Sequence, residues 1–322
     1  MVDNDRVGRA IRTLREKAGY TQKELAEKLF LSPVAVSKWE RGKSMPDTAT
    51  LQRLAALLDM DVDGLLDGSA SYLDDGWRGV LLLSGAALPA DAILHDKPLI
   101  DCMLSLFLLA GVRDIEIACP QRERAYIEGR FRGGGALGVS LRFTEPETLR
   151  LAEAAGRRGT DVMLVTEPFF IYGVDLTRFL QRAMQHKGAL VNLTSVVGGC
   201  GSAERDGFSH YAYQSVPLYF VRAGLFSGVT GSAQLRRRLS APELAGETLS
   251  EPMDKGFLVS GLRDEADAAR VSTLMRIIQE LGGYLIDCPP EIAWRRGMIG
   301  KEKLKEAAEL FAEYGSYLDS LL

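Results

Sequence analysis

The segment Ser32–Arg41 carries side chains that fall on two opposite faces of a helix. Val36 and Trp39 are spaced to point inward, and four small or polar residues point outward: Pro33, Val34, Ser37 and Lys38. This outward face suits a helix laid in the major groove of DNA, because serine can bond to any base, apolar groups meet thymine methyl groups, and lysine finds guanine or phosphate. The alternative is a small helical bundle whose polar face is only hydrated.

Two short helices are predicted to position this face. In Thr21–Leu29 the apolar residues lie at helical spacing, and Thr21 forms a capping box with Glu24. Ser32 can cap the second helix, where Pro33 occupies the first position and its missing N–H costs nothing. Because only two residues separate the helices, the turn between them must be sharp. The pattern predicts a helix-turn-helix.

Residues 11–66 resemble the Cro/CI-type (XRE) DNA-binding domains. The stretches that carry the resemblance are Leu14–Ala26, Val36–Asp47 and Leu54–Leu58. They cover five predicted helices without a gap. The resemblance implies that the chain binds double-stranded DNA, and it favours this interpretation over a merely hydrated helical bundle.

We expect two groups of DNA contacts from this domain. Bases are read by residues near the start of the second and third helices: Gln22, Ser32, Pro33, Val34, Ser37 and Lys38. Phosphates are bound by three cations: Lys23, Arg41 and Lys43. Gln22 is expected to point at a phosphate or a base edge, beside the exposed N–H groups of its helix. For each cation singly, a solvated side chain is the open alternative.

Length and composition indicate two domains and no membrane segment. The chain has 322 residues, of which 46% are hydrophobic and 25% are charged, as in ordinary globular proteins. No apolar run approaches the ~18 residues that a membrane helix needs, and the N-terminus is too charged for a signal peptide. The four cysteines are scattered, which is typical of reduced thiols. We therefore expect a cytoplasmic protein.

The charge distribution favours an oligomer. The formal net charge is −4, yet through Leu58 eleven Lys and Arg residues exceed seven Asp and Glu residues by four. The rest of the chain therefore carries −8. Because this local basic excess is modest, a single DNA-binding domain should bind weakly. We expect a homodimer or a higher even oligomer.

A small, polar and acidic stretch at residues 67–77 is typical of a linker. It separates an all-α head of five helices (residues 1–66) from an α/β body (residues 78–322). In the body, predicted helices alternate with four predicted strands: Val80–Leu83, Asp114–Ala118, Val139–Phe143 and Asp161–Thr166. This alternation predicts βαβ units and a mainly parallel sheet.

Several other motifs in the body do not point to a cofactor or a metal ion. Gly133–Gly138 fits a dinucleotide-binding pattern, but it follows a helix and precedes a strand, so we interpret it as a surface loop. Arg236–Arg238 could contact a phosphate, but a solvated helix end is the favoured interpretation. The three histidines, His95, His186 and His210, have no ligand-like neighbours in the sequence. We expect neither a zinc site nor a cofactor.

The body resembles the sugar-1-phosphate nucleotidylyltransferases, and among them the glucose-1-phosphate thymidylyltransferases. Six stretches carry the resemblance: Asp96–Ile100, Leu108–Ile115, Phe170–Gly173, Leu218–Phe220, Cys288–Ile299 and Tyr314–Leu318. It spans roughly residues 79–322. The resemblance implies a Rossmann-like nucleotidyltransferase fold with a mainly parallel, mixed sheet, which agrees with the alternation of strands and helices.

The groups that this family uses for catalysis are not found at the matching positions. The family has a Gly-Gly-x-Gly-Thr-Arg loop and a lysine after its first strand, whereas Ser84–His95 is shortened and has neither Arg nor Lys. One metal-binding turn appears as Glu167–Phe169, and no acid stands at residues 260–262, where the second is expected. The Glu-Lys-Pro motif before Leu218 is absent, and a glycine beside the base is replaced by Arg150. From these differences we expect the body not to be an enzyme.

These expectations combine into a transcriptional regulator with a nucleotidyltransferase-like body. The body would mediate oligomerisation and sense a sugar, a sugar phosphate or a nucleotide-sugar, with Arg150 and Glu167 as the candidate ligand-binding residues. Two alternatives stay open. One is an active nucleotidylyltransferase with an accessory DNA-binding head, and the other is a dimerisation scaffold that binds no ligand.

Overall fold

Five helices form the head in the computed structural model. The structure describes residues 4–58, 62–66, 78–84, 88–154, 161–174, 176, 179, 183, 190–198, 211–241, 248–252, 257–259, 262 and 264–322. The helices are α1 (Asn4–Lys17), α2 (Gln22–Leu29), α3 (Pro33–Glu40), α4 (Thr48–Leu57) and α5 (Val62–Leu66). The predicted linker 67–77, residues 85–87, His186, His210 and residues 260–261 lie outside the described residues.

Local signals in the sequence set the ends of these helices. The Thr21 side chain accepts a hydrogen bond from the Glu24 N–H at 3.2 Å, and the Glu24 carboxylate accepts one from the Thr21 N–H at 2.7 Å. The predicted capping box is therefore confirmed. Ser32 caps α3 by accepting from the Ala35 N–H, and Asp47 caps α4 by accepting from the Thr50 N–H. These caps satisfy N–H groups that a helix leaves unpaired at its start.

One apolar core joins the helices of the head. Its members come from every helix: Val7, Ala10, Ile11, Leu14, Leu25, Ala26, Leu29, Val36, Trp39, Leu54, Ala55, Leu58 and Leu65. The helical spacing of these residues is the reason that each helix has one buried face.

A seven-stranded sheet organises the body. The eleven strands in the described residues are β1 (Arg78–Leu82), β2 (Ile93–Leu94), β3 (Lys97–Pro98), β4 (Asp114–Ala118), β5 (Ser140–Thr144), β6 (Asp161–Val165), β7 (Phe170–Tyr172), β8 (Leu190–Gly198), β9 (Tyr211–Arg222), β10 (Thr248–Pro252) and β11 (Phe257–Val259). Seven of them belong to this sheet, and β2 with β3 and β7 with β11 form two small sheets. The sheet order is β10-β8-β9-β6-β1-β4-β5. β5, β4, β1 and β6 are parallel, and β9 runs antiparallel to both β6 and β8. The predicted mainly parallel, mixed sheet is confirmed.

Helices cover the sheet and complete the body. They are α6 (Leu99–Leu109), α7 (Gln121–Phe131), α8 (Leu151–Ala154), α9 (Ser232–Leu239), α10 (Glu265–Gly282), α11 (Pro289–Arg295), α12 (Lys301–Leu310) and α13 (Gly315–Ser320). Residues Arg132–Leu137, expected to be part of a surface loop, form a 3-10 helix in which Gly134 is buried. Among the described residues, none of the helices combines the length and the apolar character that crossing a membrane would require.

Both faces of the central sheet are buried. Along β1, Leu81 belongs to one apolar core, whereas Val80 and Leu82 belong to a second core on the other face. The register pairs Leu82 with Ala118 of β4 and Leu81 with Val165 of β6. The carboxyl ends of these three parallel strands therefore meet at one edge of the sheet, where α/β proteins commonly bind their ligands.

Candidate functional site

The third helix of the head divides its side chains as predicted from their spacing. Val36 is fully buried and Trp39 is 7% exposed, because both pack in the core of the head. Pro33, Val34 and Lys38 are exposed, and Ser37 is partly exposed. The helix thus presents a small, mainly uncharged surface with one cation, which matches the shape and chemistry of a major groove.

A buried carboxylate connects three helices behind this surface. Arg15 Nε of α1 donates to Glu40 Oε1 at 2.6 Å, and Gln22 Nε2 of α2 donates to Glu40 Oε2 at 2.6 Å. The side chains of Arg15 and Glu40 are only 9% and 3% exposed. The hydrogen bond that Arg15 donates to the Glu40 carboxylate is the main cause that raises the pKa of Arg15. One carboxylate therefore sets how α1 and α2 lie against α3.

Gln22 differs from its expected orientation. We expected its side chain to point at DNA, but its amide nitrogen is bound to Glu40 and the residue is partly buried. The physical reason is that a buried carboxylate needs more than one donor to offset its lost hydration. The partner lies 18 residues away along the chain, so helical spacing could not identify it.

The three predicted phosphate ligands are all exposed. Lys23 lies 3.9 Å from Glu27 in a solvated ion pair, Arg41 donates from Nε to the Ser37 carbonyl at 3.0 Å, and Lys43 is exposed in the loop after α3. An exposed pair of this kind contributes little to stability. These cations are therefore free to exchange their present contacts for a phosphate, and their role in DNA binding stays a prediction.

In the body, an arginine connects the carboxyl ends of two neighbouring strands. Arg236 of α9 donates from one terminal nitrogen to the carbonyl oxygens of Ser84, after β1, at 2.6 Å and of Thr166, after β6, at 2.8 Å. The Ser84 and Ser232 hydroxyl groups are 2.8 Å apart and hold the start of α9 against the same edge. We expected Arg236 to be solvated, but it is half-buried, whereas Arg237 and Arg238 are exposed.

The two candidate ligand residues lie on exposed loops. Glu167 follows the Thr166 carbonyl that Arg236 contacts, and it is exposed. Arg150 is exposed and donates from one terminal nitrogen to Glu153 at 3.0 Å. We expected Arg150 to fill the space of a base, but its ion pair with Glu153 keeps it at the surface. Whether either residue binds a ligand is a prediction.

A concave site is formed elsewhere in the body. It is a mainly apolar pocket of about 480 Å³, within the range of small-molecule sites. Its lining comes from two separate segments and the end of α6: Leu109, Ile171, Tyr172, Gly173, Val174, Leu176, Tyr284, Leu285, Ile286, Asp287, Glu291, Ile292 and Arg295. The hydroxyl groups of Tyr172 and Tyr284 are hydrogen-bonded to each other, which raises the pKa of Tyr172 to about 12.

The polar side of this pocket is formed by Glu291. Arg295 Nε donates to Glu291 Oε1 at 2.7 Å, and the Tyr317 hydroxyl donates to Glu291 Oε2 at 2.9 Å. Parts of both lining segments belong to the stretches that resemble the nucleotidylyltransferases. The pocket itself is not predictable from the sequence, because the two segments are separated by more than 100 residues and meet only in the fold.

Asp287, which lines the pocket, should make the stability of the body depend on pH. Burial raises its pKa from 3.8 to about 7, so the folded protein keeps a proton that the unfolded chain loses. The contribution is complete below pH 3.8 and is lost as the pH rises through 7. Because each pKa unit corresponds to about 1.4 kcal/mol, we expect a loss of up to about 4 kcal/mol between pH 4 and pH 8. Urea unfolding should show a smaller loss for Asp287→Asn, and an equal loss in both proteins would contradict this assignment.

Asparagine suits this position for a second reason. Asp287 has φ 48°, a left-handed conformation that Asn adopts more readily than most residues. The variant should therefore fold normally, and its titration can be compared directly with that of the natural chain.

The described residues do not include a metal-binding cluster. No group of three or more His, Cys, Asp and Glu side chains in the described part of the chain has a suitable arrangement. Glu167 is exposed at the edge of the sheet where the family resemblance implies a metal carboxylate.

Both parts of the chain are similar to known proteins. Residues 11–65 match the family described as Helix-turn-helix. Glucose-1-phosphate thymidylyltransferase from Neisseria meningitidis is 28% identical over 289 residues, covering 80% of this chain and 98% of the relative. The protein of the same name from Xanthomonas campestris pv. campestris is 28% identical over 288 residues, covering 80% of this chain and 95% of the relative.

A solved structure is also similar to the chain. It is described as a putative glucose-1-phosphate thymidylyltransferase from Bacillus anthracis in complex with a sucrose. The similarity covers 62% of this chain and 95% of that chain, with 13% sequence identity and a TM-score of 0.47. No conclusion depends on a similarity at this level.

These relatives overturn the expectation that the body is not an enzyme. The proteins that match 80% of the chain are named as thymidylyltransferases. That expectation depended on finding each charged residue at a fixed position after the first strand. The fold brings a cation to that edge from a different element, since Arg236 of α9 contacts the ends of both β1 and β6. The chain therefore joins a helix-turn-helix domain at residues 11–65 to a region homologous to the glucose-1-phosphate thymidylyltransferases.

Proposed function

We propose that this protein is a sequence-specific DNA-binding transcriptional regulator that reads duplex DNA with α3. The observation that carries the proposal is the division of α3, in which Val36 and Trp39 are buried while Pro33, Val34 and Lys38 are exposed. The exposed set has the donors and apolar groups that distinguish base pairs in the major groove. The match of residues 11–65 to the helix-turn-helix family supports the same proposal.

Replacing Lys38 with alanine should weaken DNA binding without unfolding the head, because the side chain is exposed. If Lys38 reads a base, we expect a loss of about 1–3 kcal/mol and relaxed specificity at one position. If it binds a phosphate, affinity should fall for all sequences and the salt slope should decrease by about one. Gel shifts at several salt concentrations distinguish the two, and Lys305→Ala, exposed on α12, is the matched control. If the natural chain bound every duplex equally well, the proposal would be refuted.

The oligomer that presents two heads to DNA is part of the proposal. We infer a homodimer or a higher even oligomer built through the body, because the basic excess of one head is modest. The operator should then be an inverted repeat with half-sites about one helical turn, or a multiple of it, apart. Light scattering at micromolar concentration measures the oligomeric state, and footprinting measures the spacing of the half-sites. A monomer bound to one asymmetric site would contradict this part.

We also propose a division of labour along the chain. Residues 1–66 would bind DNA, residues 67–77 would act as a linker, and residues 78–322 would bind the regulatory ligand. Because its operator would be chromosomal DNA, the protein is expected to act in the cytoplasm. The names of the relatives support a ligand related to glucose-1-phosphate or a nucleotide-sugar.

The edge formed by β1 and β6 is the proposed site for the phosphate of that ligand. Arg236 uses one of its terminal nitrogens on the two carbonyl oxygens, and an arginine has further N–H groups that suit a phosphate. The apolar pocket at Tyr172 and Tyr284 is the alternative location. Val174→Trp, which fills that pocket, should leave a ligand-induced shift in melting temperature unchanged if the ligand binds at Arg236.

The ligand can regulate DNA binding only through a difference in affinity between two states of the protein. A tenfold change in DNA affinity requires about 1.4 kcal/mol. Footprinting with and without glucose-1-phosphate, dTDP-glucose and dTTP measures this coupling. If none of these compounds changes either the melting temperature or the footprint, the body acts as a scaffold.

A second candidate function is transfer of a nucleotidyl group by the body. It is favoured by the names of the relatives and by a cation at the edge where this chemistry requires charge stabilisation. The test is release of pyrophosphate from dTTP and glucose-1-phosphate in the presence of Mg²⁺. Activity that disappears in Arg236→Ala but not in Arg237→Ala would assign the reaction to this edge.

A further inference from the structure

The turn between α2 and α3 has an unusual residue at its tightest point. Phe30 has φ 58° and ψ 41°, in the left-handed region, and it ends α2. Its N–H donates to the Glu27 carbonyl at 3.1 Å, and the Leu31 N–H donates to the Ala26 carbonyl at 2.9 Å. This pair of hydrogen bonds is the helix ending at which glycine is preferred, because a side chain at this position crowds the following carbonyl. Phenylalanine here costs conformational energy that glycine would not.

Packing of the Phe30 side chain against the rest of the protein does not offset this conformational energy. The side chain is 89% exposed, although the neighbouring Leu25 and Leu29 are buried in the core of the head. Leu31 and Val34 are 39% and 59% exposed. We call Phe30, Leu31 and Val34 the apolar tip. An exposed and strained aromatic residue is a poor choice for stability, so its benefit must come from a partner.

The position of the apolar tip identifies the partner. Phe30 and Leu31 directly precede Ser32, the N-cap of α3, and the N-terminal residues of a recognition helix contact base edges in the major groove. Val34 belongs to the face proposed to read those bases. The segment Lys28–Trp39 contains two lysines and no acidic residue, so its charge suits a polyanion.

We propose that Phe30, together with Leu31, contacts thymine 5-methyl groups in the operator and thereby helps to set its sequence. The thymine methyl is the apolar group that the major groove offers. This inference rests on the proposed DNA binding and extends it, because it adds two residues from the turn to those of α3. It also explains why position 30, at which this helix ending favours glycine, holds a phenylalanine.

Two variants of Phe30 separate a DNA contact from a structural role. Phe30→Gly relieves the left-handed strain, so it should raise the melting temperature of the head while weakening operator binding by about tenfold. Phe30→Ala should weaken binding similarly without raising the melting temperature. Ile93→Ala removes a side chain that is 62% exposed on the body, and it should change neither quantity. A structural role for Phe30 would instead make stability and binding change in the same direction.

Replacing operator thymines one at a time with deoxyuridine removes single methyl groups. With the natural chain, at least one replacement should weaken binding by about fourfold, the value of one buried methyl group. In the Phe30→Ala variant, replacing the same thymine with deoxyuridine should not change operator binding. If the penalty remains in Phe30→Ala, or if Phe30→Ala changes the oligomeric state and leaves operator binding intact, the inference is wrong. Failure of the natural chain to prefer any duplex would instead refute the proposed DNA binding itself.

Discussion

Glu40→Ala should abolish DNA binding by unfolding the head. The substitution removes the carboxylate that Arg15 and Gln22 share, and it leaves the buried guanidinium of Arg15 with only the half-exposed carboxylate of Glu16, at 3.1 Å. Breaking a buried ion pair in this way costs about 3–5 kcal/mol, which is comparable to the whole stability of a small domain, about 5 kcal/mol. Hydrogen exchange of the full chain, followed by mass spectrometry, should show loss of protection in α1, α2 and α3 while the body stays protected.

The matched control for this prediction is Glu27→Ala. Glu27 pairs with Lys23 at 3.9 Å, both side chains are more than half exposed, and such a pair contributes about 0–1 kcal/mol. Glu27→Ala should therefore retain protection and operator binding. If Glu40→Ala kept both as well, the buried carboxylate would not be the connection among the three helices.

The second large effect is expected from Arg236→Ala. This change removes two charge-assisted hydrogen bonds and leaves the carbonyl groups of Ser84 and Thr166 without the guanidinium. Because hydrogen bonds to charged groups contribute about 1.5–3 kcal/mol each, we expect a loss of roughly 3 kcal/mol in the free energy of unfolding of the body, and at least tenfold weaker binding of a phosphorylated ligand. Urea unfolding and calorimetric titration with glucose-1-phosphate measure the two effects.

Arg237→Ala provides the comparison for Arg236→Ala. Arg237 directly follows Arg236 in the same helix but is exposed, and its Nε donates to the Ala233 carbonyl at 3.5 Å. Its replacement removes the same charge from the same helix, so net charge is controlled. Similar losses in both variants would mean that the overall charge of α9, rather than the position of Arg236, is responsible.

The parts of the molecule that were predictable from the sequence depend on neighbours along the chain. The capping box at Thr21 and Glu24 spans three residues, and the buried face of α3 follows from the spacing of Val36 and Trp39. The alternation of apolar strands with helices similarly predicted the parallel part of the sheet. In each case the residues on which the prediction depends are close together in the sequence, within one or two helical turns or within one strand.

The parts that were not predictable depend on contacts across the fold. Arg236 lies 152 residues from Ser84 and 70 residues from Thr166, and no local pattern relates these positions. The orientation of Gln22 depends on Glu40 in the same way. The apolar pocket requires β7 and the segment before α11 to meet, which only tertiary packing decides. Chemistry at a site built from distant segments is therefore poorly judged from motifs alone.

The burial of β1 on both faces has a consequence for how this protein can change over generations. Leu81 packs in one core and Val80 and Leu82 pack in the other, so a polar substitution at any of these positions damages one of the two cores. Exposed residues further along the loops beyond the strand ends, such as Glu167, do not belong to either core. Heritable variation should accumulate at the carboxyl edge of the sheet, where new ligand preferences can arise while the strands beneath stay the same.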